Sequence, residues 1–193
     1  TAHNLGKLIY GDFTLIPATV RAVVEIIMSF WSEAKSDLAE AIESKNKILS
    51  SSFAGLQDDK HNPTANSQKP MANINALVIG GGVELGKPLA LVLSDLGASV
   101  SLCRSTTRNL SDYTHNADII VSAVGKPGLI TGEMVKNGVV IIDCGINLVN
   151  GKTQGDVDFN SVAKKASFLT PVPGGVGPVT ILFLFENLVD LLS

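Results

Sequence analysis

Cysteine and aromatic residues are scarce in this chain, charges of the two signs nearly balance, and no apolar run is long. Among 193 residues there are two cysteines and one tryptophan, and Phe, Trp and Tyr together make up 5%. Two cysteines, Cys103 and Cys144, are too few for a disulfide framework. Neither has a second ligand at a zinc-like spacing, so no metal site is expected. That usage fits a reducing compartment, the cytoplasm first, with an organelle left open. The formal net charge is −3 and the lysines and arginines are scattered. No basic stripe marks a nucleic-acid backbone or an anionic membrane as partner. No uninterrupted apolar run reaches the length of a membrane span. A secretory signal is also missing, and the chain opens at Thr1 without a methionine, as a processed or truncated start would.

What is present is an apolar fraction of 45%, which suits a globular core at this length. From residue 76 onward, short apolar runs alternate with helical patterns. Residues 76–80, 98–103, 117–125 and 139–145 read as strands, with a further one at 167–172. Residues 87–97 read as a helix, and 179–192 as a closing helix. The runs at 117–125 and 139–145 are too continuously apolar to have one wet face, so a buried parallel sheet is the economical reading. The expected fold class is α/β: a Rossmann-like, doubly wound, mostly parallel sheet with flanking helices.

The first 75 residues differ. Residues 20–30 are an apolar helix candidate entered through Pro17 and Thr19, and 32–49 extends it or forms a second helix. Residues 50–73 are polar, rich in Ser, Asn and Pro, and without period, which reads as a loop or linker. The expected organisation is therefore 1–49, a polar linker or insertion at 50–75, and the α/β domain at 76–193.

The stretch LVIGGGVELGKPLALVL (77–93) ends an apolar run at Ile79, follows it with Gly80, Gly81 and Gly82, and places Gly86 before a helical segment. In a strand–turn–helix unit such glycines allow the tight turn, the close approach of a pyrophosphate and the packing of helix on strand. The phosphates then meet the N–H groups and dipole of the helix start. The same glycines would also serve a bare turn, so context decides. The second strand ends Cys103-Arg104-Ser105-Thr106-Thr107-Arg108, with no acid where one would bind a ribose 2′-hydroxyl. Two cations there favour NADP over NAD, against the alternative of solvated loop arginines. Two further strand ends carry glycine, at Val124-Gly125 and at Gly145-Ile146, where small residues leave room for a ribose or a ring. The densest signal is TPVPGGVGPVT (170–180), whose prolines and glycines make the backbone itself the expected lining of a pocket.

From Leu77 on, these motifs resemble the nucleotide-binding domain of the methylenetetrahydrofolate dehydrogenase/cyclohydrolase family. VIGGGVELGKP is similar to the family's VIGRSxxVGxP and SLCRSTTRNL to its CHSxTxNL, while SAVGKPG, DCGIN, GDVDF and TPVPGGVGPVT correspond closely. Upstream, His3-Asn4-Leu5-Gly6-Lys7-Leu8 is similar to NxGxL, and Pro17-Ala18-Thr19-Val20 stands where the family has Pro-Cys-Thr-Pro. The resemblance makes 1–49 a remnant of the folate-binding domain with its linking helix, most of that domain lying upstream of Thr1. The C-terminal helix is then expected to pack back toward it.

The resemblance implies oxidation of 5,10-methylenetetrahydrofolate by hydride transfer to NADP, NAD being second choice, with cyclohydrolase activity in the complete protein. It implies a homodimer with a folate substrate. Cofactor contacts are expected at Gly80, Gly81, Gly82, Gly86, Arg104, Ser105, Arg108, Val124, Gly125, Ile146 and Thr180. Folate contacts are expected at Pro173, Gly174, Gly175, Val176 and Gly177. The family's catalytic lysine lies in a Tyr-x-x-x-Lys motif; here Tyr10 is followed four residues on by Thr14 and Tyr113 by Ala117, so no catalytic residue is assigned. The family often has Arg and Ser where Gly81 and Gly82 stand, and Arg104, in place of the family's His, is the expected substitute for that lost cation. Two other readings compete: a nucleotide-binding or dimerising module without chemistry, and an unrelated NADP-dependent reductase.

Overall fold

A computed structural model describes residues 16–35, 69–190 and 192. The segments at His3–Leu8 and 36–68 singled out above lie outside the described residues. Five parallel strands form one sheet: β1 (Asn75–Ile79), β2 (Ser99–Cys103), β3 (Ile119–Ser122), β4 (Val140–Asp143) and β7 (Phe168–Leu169). Their spatial order is β2-β1-β3-β4-β7, so the winding reverses between β1 and β3. Two short strands, β5 (Asn147–Val149) and β6 (Lys152–Gln154), make a separate antiparallel ribbon after β4.

The continuous apolar runs are explained by burial on both faces. Ala76 and Val78 of β1, Ile119 and Val121 of β3, and Val140 and Ile142 of β4 pack into one core cluster. Helices α1 (Ala18–Lys35), α2 (Gly86–Asp95) and α5 (Val176–Asp190) contribute to that same cluster. Leu77, Ile79, Ile120 and Ile141, one residue out of phase, pack on the other face with Ile130, Val135 and Val162. That second face is covered by α3 (Leu110–Thr114), a single 3-10 turn at Gly132–Met134 and α4 (Phe159–Val162).

Helix α2 shows how local sequence sets its ends. Pro88 sits in its first turn, where a missing N–H removes no intrahelical bond. At the other end Gly97 adopts φ +99°, its N–H bonds the Ser94 carbonyl at 2.9 Å, and the Ala98 N–H bonds the Leu93 carbonyl at 3.0 Å. This is the paired-bond C-terminal stop that favours glycine. Met71, within the segment expected to be a polar linker, is 1% exposed and its N–H bonds the Leu96 carbonyl at 3.0 Å. A residue four positions before β1, with a bulky apolar side chain, thus closes the end of α2.

Helix α1 spaces Val20, Val23, Val24 and Ile27 on one buried stripe and packs beside α5. At their contact Arg21 bonds Glu186 at 3.1 Å and lies 4.8 Å from the centroid of the Phe183 ring, and the Asn187 amide donates to the Ile16 carbonyl at 3.0 Å. The Arg21–Glu186 pair is too exposed to be a main source of stability; the apolar stripe is that source. Helix α5 leaves Ile181, Leu182, Leu184, Phe185, Leu188 and Val189 exposed. Among the described residues, no helix is long and apolar enough to cross a membrane.

Several boundaries differ from the sequence reading. The closing helix starts at Val176, not 179, because Pro178 is accommodated in its first turn. The strand expected at 117–125 is confined to Ile119–Ser122, since the chain beyond Ala123 turns aside at Gly125 with φ +73°. Likewise 167–172 pairs only through Phe168 and Leu169.

Leu89→Ala is expected to lower stability by about 2–5 kcal/mol, because this α2 side chain is fully buried against the sheet. Urea denaturation checks it: the midpoint falls while the slope is unchanged.

Candidate functional site

The turn after β1 sits at the reversal of strand order, where ligands of open parallel sheets bind beyond the carboxyl ends of the strands. Gly80 has φ +121°, and a Cβ there would overlap the Ala123 carbonyl oxygen at the end of β3. Gly86 opens α2 and is buried; a Cβ on it would overlap the Gly80 carbonyl oxygen. Both glycines are required by backbone contact across the turn. Gly82 differs, with nothing within 4 Å of the Cβ position. The turn is thus closed on the protein side and open on the outer side, which is the shape a pyrophosphate needs.

Gly81 explains the arginine after β2. A Cβ at Gly81 would lie 2.6 Å from Arg104 Nε and 3.0 Å from its Cδ, so the Arg104 side chain crosses the turn in the space that glycine leaves. The loop holding it is fixed locally: the Arg104 N–H bonds Thr107 Oγ1 at 2.9 Å, and the Thr107 N–H returns to the Arg104 carbonyl at 2.9 Å. Ser105 is exposed beside it. Arg108, exposed four residues on, takes no part in that contact.

The ends of β3 and β4 are tied together from below by two carboxylates. Asp156, fully buried, accepts hydrogen bonds from the backbone N–H of Val124 at 2.8 Å, Gly125 at 3.2 Å and Lys126 at 2.8 Å. It also accepts from Ser122 Oγ at 3.0 Å and Asn147 Nδ2 at 3.1 Å. Asp143, at the end of β4, accepts from the N–H of Gly145, Asp156 and Val157. Burial pushes the Asp156 carboxyl up, but its donors outweigh that and hold it below the usual carboxylate range. For Asp143 burial wins over its three donors, the Asp156 charge adds to the rise, and the carboxyl lies above its ordinary value. Sequence reasoning gave these residues no role. The signal was present in DCGIN and GDVDF: a Cβ at Gly145 would overlap the Asp156 carboxyl, and one at Gly155 the Asp143 carboxylate.

Beyond β4 lies a cavity of about 460 Å³. All five residues from Pro173 to Gly177 line it, with Ile146, Thr180 and, from α1, Thr19. Gly174 has φ +104°, a Cβ on Gly175 would lie 2.5 Å from the Pro171 carbonyl oxygen, and the Val172–Pro173 peptide is cis. The loop therefore presents backbone rather than side chains, as its composition predicts. Thr180 spends its hydroxyl on the Val176 carbonyl at 3.0 Å. Of the described lining residues only Asp143 and Cys144 titrate; burial, with the charges of Asp143 and Asp156, pushes the Cys144 thiol up to about 12. The cavity includes neither the glycine turn nor Arg104, so the expected contacts form two groups along one sheet edge, with Val124 and Gly125 on the β3 loop. Such a wall can bind and orient a flat ligand.

A doubly wound parallel sheet with a glycine turn at its switch point defines a dinucleotide-binding domain. Residues 64–193 match the model of the tetrahydrofolate dehydrogenase/cyclohydrolase NAD(P)-binding domain, and the chain belongs to that family. It is 42% identical over 188 residues to the bifunctional protein FolD of Lactobacillus gasseri, covering 97% of this chain and 54% of that protein. To FolD of Lactobacillus acidophilus it is 55% identical over 117 residues, 61% of this chain and 41% of that one. The solved bifunctional enzyme FolD-methylenetetrahydrofolate dehydrogenase/cyclohydrolase from Campylobacter jejuni superposes with a TM-score of 0.72 at 35% identity, covering 97% of this chain and 54% of its own. That of Trypanosoma brucei, solved with NADP cofactor and inhibitor, has a TM-score of 0.72 at 29% identity over 99% of this chain and 56% of its own. This chain spans about half the length of the relatives it matches.

The glycines separate cleanly by experiment. Gly86→Ala is expected to destabilise by about 1–3 kcal/mol or more, because the new methyl meets a carbonyl oxygen that cannot move without opening the turn. Gly82→Ala, with open space above it, is expected to stay within about 0.5 kcal/mol of the parent in the same denaturation assay.

Proposed function

We propose that this chain is the cofactor-binding part of an NADP-dependent 5,10-methylenetetrahydrofolate dehydrogenase, with cyclohydrolase activity in the complete protein. The observation that carries the reading is the pairing of a glycine turn at the β1/β3 switch point with a backbone-lined cavity built by Pro173–Gly177 one strand further along. In this reading Gly80, Gly81, Gly82 and Gly86 hold the pyrophosphate on the helix α2 start, and Val124, Gly125, Ile146 and Thr180 border the nicotinamide half. Pro173 to Gly177 hold the flat folate ring system against it. The nicotinamide, when bound, supplies the hydride acceptor. The chain's own residues supply position and exclude water: the cavity wall is mostly carbon, with backbone polar groups fixed before any ligand arrives.

The choice of NADP rests on Arg104. Its side chain lies across Gly81, beside the turn, which is where a family arginine would otherwise stand. Ser105 adds a hydroxyl donor on the same loop, and Arg108 adds positive potential. The apolar outer face of α5 supports the reading that this helix packs back toward a folate-binding domain. A homodimer in the cytoplasm completes the reading; light scattering of the purified chain measures the first part.

The alternative, a nucleotide-binding module without chemistry, is favoured by one observation: the sequence has no Tyr-x-x-x-Lys. Membership of the folate family removes the reading as an unrelated reductase. Reduction of NADP, with NAD in parallel, by the purified chain and 5,10-methylenetetrahydrofolate decides between the two. Faster reduction of NADP supports the dehydrogenase; cofactor binding with no reduction makes the chain a binding module. Arg104→Ala is expected to cut the preference for NADP over NAD by about 10- to 100-fold in binding, the worth of a charged hydrogen bond to phosphate. A variant that keeps full preference refutes the role of Arg104.

A further inference from the structure

Asp156 is fully buried and, among the described residues, has no cation as partner; its charge is met by five donors, three of them consecutive backbone N–H groups. A buried carboxylate is tolerated only when its oxygens are satisfied in this way. The donors belong to two different strand-end loops. Ser122 ends β3 and Val124 to Lys126 follow it, while Asn147 opens β5 beyond β4. Asp156 itself comes from neither. It is held from below, its N–H on Asp143 Oδ1 at 3.1 Å and its carbonyl on the Ile130 N–H at 3.1 Å. One side chain, fixed by its own backbone, thus sets the shape of two loops at once.

We propose that Asp156 is a positioning residue for the nicotinamide half of the dinucleotide site, acting through the Val124–Lys126 loop and Asn147 and not on the adenosine half. The inference rests on the dinucleotide reading above. Three N–H groups drawn inward to one carboxylate turn the loop so that Gly125 takes φ +73° and the Val124 and Gly125 surfaces face outward. Asn147 is oriented by the same oxygen that receives the Lys126 N–H, so the two loops cannot shift independently. The adenosine half has separate supports: the Arg104–Thr107 loop is closed by its own bonds, and Gly80 and Gly86 are fixed by backbone contact. In a doubly wound sheet the dinucleotide crosses the switch point, adenosine over the β2 end and nicotinamide over the β3 and β4 ends. The carboxylate therefore governs one end of the ligand.

Asp156→Asn keeps the size of the side chain but turns an amide N–H₂ toward N–H donors, either those of Val124 and Gly125 or those of Lys126 and Asn147. The test uses the purified full chain and two ligands: NADP, and adenosine 2′,5′-bisphosphate, which carries the adenosine and the 2′-phosphate but no nicotinamide. For folded Asp156→Asn the dissociation constant of NADP is expected to rise about tenfold or more, and that of the bisphosphate to stay within about twofold. Arg104→Ala is the converse control, weakening both ligands. Asn147→Asp added to Asp156→Asn lets the new amide donate to a carboxylate and is expected to recover part of the NADP affinity. Should Asp156→Asn not fold, Asn147→Ala removes one donor from a half-buried side chain and is expected to show the same split at about threefold. Equal weakening of both ligands, or of neither, in these variants overturns the proposal. A parent chain that binds neither ligand overturns the dinucleotide reading, and this inference with it.

Discussion

A parallel sheet buried on both faces can meet a polar ligand only at its ends. In this chain every apolar side chain of β1, β3 and β4 is committed to one core or the other, so a polar ligand can be met only by the loops beyond Ile79, Ser122 and Asp143. Those loops have to carry polar backbone groups at the mouth of an apolar core, and each has found a partner. The Gly80 N–H bonds the Cys103 carbonyl, the Ala123 N–H the Ile79 carbonyl and the Cys144 N–H the Ser122 carbonyl, all at 2.8–2.9 Å. The ladder of the sheet runs one residue past each of these strands.

The glycines on this edge answer to two different demands. Gly80, Gly86, Gly145 and Gly155 are excluded from bearing a side chain by protein atoms: a carbonyl oxygen for the first two and a buried carboxylate for the second two. Gly82, Gly174 and Gly177 instead face open space. Gly81 belongs to a third kind, because the atoms above it are those of Arg104. A cation on the second strand's loop has taken the place over the turn, so the charge at this corner comes from a different element than the family pattern uses.

The two carboxylates link this edge to the second core. Ser122 and Asp143 are register partners at the ends of β3 and β4 and lie on the face packed with Ile120 and Ile141. Their polarity interrupts that core at its rim. Asp156 fills the gap, and an ionised group there is stable because backbone donors replace water one for one. Asp143 beside it lies above its ordinary value, so the pair does not carry two full charges with equal ease.

Much of this was legible before any coordinates. Continuous apolar runs at 117–125 and 139–145 gave the parallel sheet, because a strand with both faces buried has no polar phase to show. The spacing of Gly80, Gly82 and Gly86 gave the turn, and TPVPGGVGPVT gave a backbone-lined cavity, since proline and glycine act through the local backbone itself. The boundaries were less legible: Pro178 hid the first turn of α5, and the residues beyond Ser122 kept an apolar composition after leaving the sheet. The contact between Arg104 and Gly81, and the five donors gathered by Asp156, could not be read, because their partners lie 23 and between 9 and 34 residues away in the chain. Sequence determines what the backbone does over a few residues and which faces are apolar. Only the tertiary structure decides which distant groups share one buried charge, because that is settled by how strands order themselves across the sheet.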